Sequence, residues 1–170
     1  GMMVSMIQSN YEGFGSGIVV PGTGISLQNR GRGFTLEQGH PNCVAGGKRP
    51  YHTIIPAFVT HMGHPLLSFG VMGGYMQPQG HVQMMVRLFD YHQNPQAAAD
   101  APRWQVCEDG RIALESGFDP EVARGLEARG HRLLDGDPYW GYGGAQLILK
   151  KKTGDLGASD PRKGGLAVAY

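Results

Sequence analysis

The sequence predicts an α+β fold, with strands towards both ends of the chain and helices between them. Three observations carry this. Residues 54–62 and 65–72 are apolar runs separated by Gly63-His64, the pattern of a β-hairpin. After Gly73-Gly74 the period changes: Val82, Met85, Val86 and Phe89 fall at i, i+3, i+4 and i+7, so residues 81–93 read as an amphipathic helix. From Ala145 onward, short apolar runs broken by Thr153-Gly-Asp155 return the chain to strand.

The remaining elements follow in order. Residues 4–10 alternate apolar and polar side chains imperfectly and predict a strand, and residues 11–17 a glycine-rich turn. Residues 18–20 form a β-branched run stopped by Pro21-Gly22, and residues 25–28 give another short strand. Residues 30–41 and 46–50 are loops. The apolar density of 54–62 and 65–72 predicts central strands buried on both faces. Pro95 opens a short helix over 96–100, since its fixed φ suits a first turn. Residues 112–114 are a brief strand. Asp119, Pro120 and Glu121 supply an N-cap, an N1 proline and an early acid to a helix that stops at Gly130. Residues 145–150, 156–159 and 166–169 are the closing strands. With no repeat and no linker, residues 4–170 read as one domain. Gly1-Met2-Met3 read as a tag remnant and a start methionine.

Composition narrows the function classes. The chain has 28 glycines in 170 residues, more than twice the usual share of roughly 7%. Charged residues make 17%, against about 25% in a typical chain. A net charge of +1 and 41% hydrophobic residues exclude a disordered chain and argue against a nucleic-acid partner. No apolar run is long enough to cross a membrane as a helix, and no export signal is visible at the N-terminus, which leaves the compartment open. The low charge predicts a surface covered by a partner.

Generic chemistry motifs are weak. Gly13-Phe-Gly-Ser-Gly17 lacks the Lys-Ser/Thr of a phosphate loop, and Ile18-Val-Val-Pro21 contradicts a following helix, so no nucleotide or flavin site is expected. His61 and His64 lack a third ligand for a metal, and Cys43 and Cys107 lack an adjacent base. No cofactor is implied. Lys150-Lys-Lys152 reads as a solvated edge.

Larger motifs are specific because they occur in a fixed order. They are Gln8-Ser-Asn-Tyr-Glu-Gly-Phe-Gly-Ser-Gly17, Thr23-Gly-Ile-Ser-Leu-Gln-Asn29, Gly47-Lys-Arg-Pro-Tyr-His-Thr-Ile-Ile-Pro56, Gly70-Val-Met-Gly-Gly74 and Gly157-Ala-Ser-Asp-Pro-Arg162. Together they resemble the small catalytic subunit of the γ-glutamyltranspeptidase family, over essentially the whole chain. The resemblance implies the small-subunit part of the αββα sandwich of an N-terminal-nucleophile (Ntn) hydrolase. It also implies an acyl-enzyme mechanism on a small amide or γ-glutamyl-like substrate, in which an N-terminal threonine is activated by its own α-amine. Gly73 and Gly74 match the family's oxyanion-hole pair, where backbone N–H groups without a Cβ in the way can approach a developing oxyanion.

The departures from the family's pattern are equally informative. The nucleophilic threonine is expected a short way upstream of Val4, and no threonine in this chain replaces it; Thr60-His61 lies in an apolar strand run and reads as a decoy. The large subunit, with its substrate-binding arginine, is expected as a separate partner. Asn10 and Asn29 match polar residues near the substrate. Arg30 stands where the family usually has Glu or Gln, Gly33 where it has the Asp that holds the substrate's α-ammonium, and His52 and Thr53 replace a tandem Ser-Ser that holds the α-carboxylate. These changes reverse the local charge preference. They resemble the cephalosporin-acylase-like branch and imply a dicarboxylic acyl group such as glutaryl. The reading from a different class is a non-catalytic, self-associating assembly module that keeps the fold.

Overall fold

The computed structural model describes residues 2–134 and 141–169. Residue 1 of the expected tag remnant and residue 170 of the expected domain lie outside the described residues. The chain divides into two compact units, Gly1–Ser5 with Ile55–Tyr170, and Met6–Ile54.

The first unit is built on an antiparallel sheet of four strands, β1 (Ala57–His61), β2 (His64–Met72), β5 (Gly144–Lys151) and β6 (Gly154–Ser159), in the order β1-β2-β5-β6. Between β2 and β5 come α1 (Met76–Met85), a π-helical turn (Val86–Asp90), α2 (Pro95–Asp100), the two-stranded ribbon β3 (Trp104–Val106) and β4 (Ile112–Leu114), and α3 (Pro120–Ala128). The register separates the two faces of the sheet. Leu67, Phe69, Val71, Ala145, Leu147 and Ala158 are buried in one cluster with Met84, Leu88, Ala98 and Ala99 of the helices. The row Phe58–Ser68–Ile148–Gly157 crosses the opposite face, and there Phe58 and Ile148 remain 51% and 52% exposed. Only β2 meets the expectation of a strand buried on both faces, over Leu67, Ser68 and Phe69. β1 is an edge strand and begins three residues late, after Pro56, which cannot donate to a ladder.

Other elements also differ from the sequence expectation. Residues 4–10 form no strand, because hydroxyls replace ladder bonds: the Ser68 Oγ donates to the Val4 carbonyl (2.9 Å) and the Ser5 Oγ to the Phe69 carbonyl (3.1 Å). Residues 166–169 form no strand either. α1 begins at Met76 rather than His81, since Pro78 falls in its first turn, where a missing N–H is harmless. Its buried face runs through Gln77, Gly80 and Met84, whereas Val82 is exposed. β3 carries no alternating pattern and pairs with the expected β4. α2 and α3 start as expected, with Asn94 Oδ1 accepting from the Gln96 N–H (2.9 Å) and Asp119 Oδ1 from the Glu121 N–H (2.8 Å).

The second unit, Met6–Ile54, is held by turns. The two expected strands at 18–20 and 25–28 reduce to an antiparallel bridge, Val19–Ser26, with flanking bonds from the Leu27 N–H to the Ile18 carbonyl (2.9 Å) and from the Val20 N–H to the Ile25 carbonyl (2.8 Å). A 3-10 turn follows at Arg30–Gly33, and a parallel bridge joins Thr35 to Cys43.

Arg103 and Asp160 form an ion pair with both side chains fully buried, at 2.5 Å. Asp160 also accepts the Ala145 N–H (2.7 Å), and Arg103 donates to the carbonyls of Tyr142 (3.1 Å) and Ala99 (3.0 Å). Burial opposes ionisation of Asp160, but the Ala145 N–H, the Arg103 guanidinium and the Arg162 N–H outweigh it and hold its pKa below the ordinary aspartate value. A depressed carboxylate stabilises the fold above its unfolded pKa, and that contribution is lost as the pH falls through the folded value. Asp160→Asn leaves Arg103 buried without its counter-charge. It is expected to lower unfolding free energy by about 3–5 kcal/mol in urea denaturation at pH 7, and by progressively less as the pH falls below about 4.

Candidate functional site

The glycine pair sits at the corner where β2 gives way to α1. Gly73 and Gly74 have φ of 132° and 59°, conformations that L side chains rarely adopt. Their carbonyls accept from the N–H groups of Met76 (3.0 Å) and Gln77 (3.1 Å). Neither glycine N–H donates to another described residue, so both donors remain available. The pair is backed by Gly143: a Cβ on Gly73 would lie 3.0 Å from the Gly143 Cα, and a Cβ on Gly143 would collide with the Met72 carbonyl. Gln77, buried in α1, donates from Nε2 to the Gly74 carbonyl (3.1 Å) and accepts the Ile55 N–H at Oε1 (3.2 Å). Sequence reasoning missed both Gln77 and Gly143. The string Gly141-Tyr-Gly-Gly144 was a signal for close backbone approach.

The other expected site residues belong to the second unit. Arg30, half-buried, donates from Nε to Thr53 Oγ1 (2.8 Å) and from Nη2 to Ser9 Oγ (2.5 Å). The structure therefore brings Arg30 and Thr53 together and adds Ser9. Among the described residues no carboxylate pairs with Arg30. The nearby acid Glu12 is taken instead by Arg32 (2.8 Å) and by the Asn29 side chain, whose Nδ2 donates to it at 2.6 Å. Asn29 also accepts the Glu12 N–H at 3.2 Å, and its own N–H donates to the Asn10 carbonyl at 3.1 Å. His52 is exposed and stacks on Tyr51 with ring centroids 4.6 Å apart. At Gly33 a Cβ would meet nothing within 4 Å. A guanidinium held by two neutral hydroxyls keeps its full charge for an anionic ligand.

Other chemistry finds little support in the geometry. Among the described residues no group of three His, Cys, Asp or Glu side chains could hold a metal ion, and no helix is long and apolar enough to cross a membrane. Cys43 and Cys107 are free thiols. Residues 18–28 form the bridged hairpin rather than a helix.

An antiparallel sheet with helices packed on one face, joined to the first of them by a glycine corner, defines an α+β scaffold. The chain belongs to the gamma-glutamyltranspeptidase family, whose model matches residues 1–170. It is 38% identical to the glutathione hydrolase-like YwrD proenzyme of Bacillus subtilis over 99% of its length, and 37% identical to the oxamate amidohydrolase proenzyme of Klebsiella pneumoniae over all of it. It spans about a third of the length of these relatives, 33% and 34%. Among solved structures it is similar to a cephalosporin acylase from Bacillus halodurans, with 49% identity and a TM-score of 0.90, covering 96% of this chain and 31% of that one. It is also similar to a gamma-glutamyltranspeptidase chain from Pseudomonas nitroreducens, with 28% identity and a TM-score of 0.83, covering 98% of this chain and 92% of that one.

The close approach at the glycine corner gives a graded test. Gly143→Ala adds both an unfavourable φ of 75° and a backbone collision and is expected to destabilise by about 2 kcal/mol or more. Gly141→Ala, with φ 63° and open space, is expected to cost only about 1 kcal/mol in the same denaturation assay.

Proposed function

We propose that this chain is the small-subunit, catalytic part of an amidohydrolase that removes an acyl group carrying an anionic end and no α-ammonium, such as a glutaryl group. The observation that carries the proposal is the Arg30 guanidinium, held by Ser9 and Thr53 with no carboxylate against it among the described residues, where the family usually has an acid or amide. Gly33 removes the carboxylate that would grip an α-ammonium. The names of two relatives agree with this preference: oxamate is the monoamide of a dicarboxylic acid, and a cephalosporin acylase cleaves an acyl amide. In this mechanism a threonine hydroxyl outside these 170 residues gives its proton to its own α-amine and attacks the amide carbonyl; the C–N bond then breaks, the amine leaves with that proton, and an ester acyl-enzyme remains. The N–H groups of Gly73 and Gly74 stabilise the oxyanion, and water releases the acid.

The partner is proposed to be a larger polypeptide, the remaining two thirds of the enzyme. Two facts support it: the chain spans only a third of its relatives, and the Phe58–Ile148 face of its sheet is exposed. Homo-oligomer formation is the competing explanation of that face, and light scattering of the purified chain separates the two.

The test is hydrolysis of glutaryl and γ-glutamyl p-nitroanilides by the complete enzyme. Glutaryl is expected to be preferred. Arg30→Glu is expected to lower kcat/KM for glutaryl by roughly tenfold or more, the worth of one charge-assisted hydrogen bond of about 1.5–3 kcal/mol. Adding Gly33→Asp, for which there is open space, is expected to raise γ-glutamyl hydrolysis. A wild-type preference for γ-glutamyl would defeat the proposal. The 170-residue chain by itself is expected to release no p-nitroaniline, and a burst of product equal to one site per molecule would overturn that.

A further inference from the structure

We propose that His81 is a positioning residue for the Gly73–Gly74 turn, acting through the Val71 backbone while its ring is neutral. This rests on the reading of that turn as the oxyanion site.

β2 is paired along one side by β5 as far as Met72, but β1 reaches only to Phe69. The Val71 N–H, two residues before the glycine pair, lies beyond the end of β1. His81 takes that donor: its Nε2 accepts the Val71 N–H at 3.0 Å. A histidine on α1 thus stands in for the missing strand neighbour. Gly80 makes the approach possible, since a Cβ there would lie 2.6 Å from the Val71 Cγ1. The ring leans on Phe69 with centroids 4.8 Å apart and planes at 55°. One turn earlier on the same helix, Gln77 holds the Gly74 carbonyl. α1 therefore grips the backbone on both sides of the glycine pair, with His81 before it and Gln77 after it.

Only a neutral ring can do this. An imidazolium carries N–H groups at both nitrogens and has no acceptor to offer, so protonation sets one donor against another. Burial lowers the His81 pKa from the ordinary histidine value, and no charged or titratable side chain of β2 or α1 adds to that shift. The bond is intact at neutral pH and is lost as the pH falls below the ordinary histidine range.

The test uses the complete enzyme with two readouts. In NMR, the Val71 amide resonance is expected to move with the same midpoint as the His81 ring. In kinetics, kcat of the wild type is expected to fall on the acid side with that midpoint. His81→Ala is expected to lower kcat roughly ten- to hundredfold with little change in KM, the scale of a small misplacement of catalytic groups. His81→Gln, whose carbonyl oxygen accepts without titrating, is expected to restore most of kcat and to flatten the acid limb. The proposal is overturned by a Val71 amide that ignores the His81 titration, by a His81→Ala variant with wild-type kcat, or by a His81→Gln variant that keeps the acid limb. A wild type that hydrolyses no amide defeats the oxyanion reading itself and this proposal with it. An active wild type with an indifferent His81→Ala defeats this proposal alone.

Discussion

The sheet unit depends on one buried charge pair. Arg103, three residues beyond α2, reaches Asp160 just after β6, and besides each other they hold four backbone groups: the carbonyls of Ala99 and Tyr142 and the N–H groups of Ala145 and Arg162. An isolated buried charge is costly, and the pair offsets that cost with hydrogen bonds at every polar side-chain atom but the Arg103 Nε, which has no partner among the described residues. Here those bonds go to chain segments far apart in sequence. Arg162 extends the network outward, pairing with Glu115 at 2.5 Å and with Asp160 at 3.0 Å, and donating to the Ala99 carbonyl at 2.9 Å. The pair therefore fixes the start of β5, the end of β6 and the exit of α2 relative to one another.

That constraint reaches the glycine corner through main chain rather than side chains. Arg103 holds the Tyr142 carbonyl, and the next residue, Gly143, is the one against which Gly73 packs. The corner is thus enclosed by Gly143 behind, Gln77 on its carbonyl side and His81 on the strand that feeds it. Each grip acts on a backbone group, which suits a turn whose proposed work is done by backbone N–H donors. Preorganised donors help a reaction only if they do not relax when charge develops, and a corner held from three directions resists relaxation.

Much of this was legible in the sequence, for identifiable reasons. The β1–β2 hairpin, α2 and α3 follow from local signals: the Gly63 turn, Pro95, and Asp119-Pro120, whose effects do not depend on distant partners. The start of α1 was not legible, because its buried face is Gln77, Gly80 and Met84. A glycine and a polar amide there erase the apolar period, and both are required by what they touch on β2 and Gly74. The strand expected at residues 4–10 failed for a similar reason: hydroxyl bonds from Ser68 and Ser5 replace the ladder, and no pattern of hydrophobicity encodes them. Arg30 could be named as a site residue from its position in the motifs. Its partner Ser9 could not: Thr53 stands at a departure from the family pattern, whereas Ser9 marks none, and only the folded chain brings it to Arg30.

The low charge and the departures from the family pattern have separate physical origins. Charge is absent from the row Phe58–Ser68–Ile148–Gly157 that crosses the sheet, in which Phe58 and Ile148 are exposed and Ser68 is buried. The other face of the sheet packs on the helices, so the two apolar side chains left exposed stand on the face that they do not cover. The departures at Arg30, Gly33, His52 and Thr53 lie instead in the turn-built unit, where no strand ladder constrains the side chains. Substitution there changes what charge that unit presents. The Arg32–Glu12 pair shows why position matters within that unit: two residues from Arg30, a guanidinium of the same kind is neutralised by a carboxylate at 2.8 Å, whereas Arg30 meets only hydroxyls.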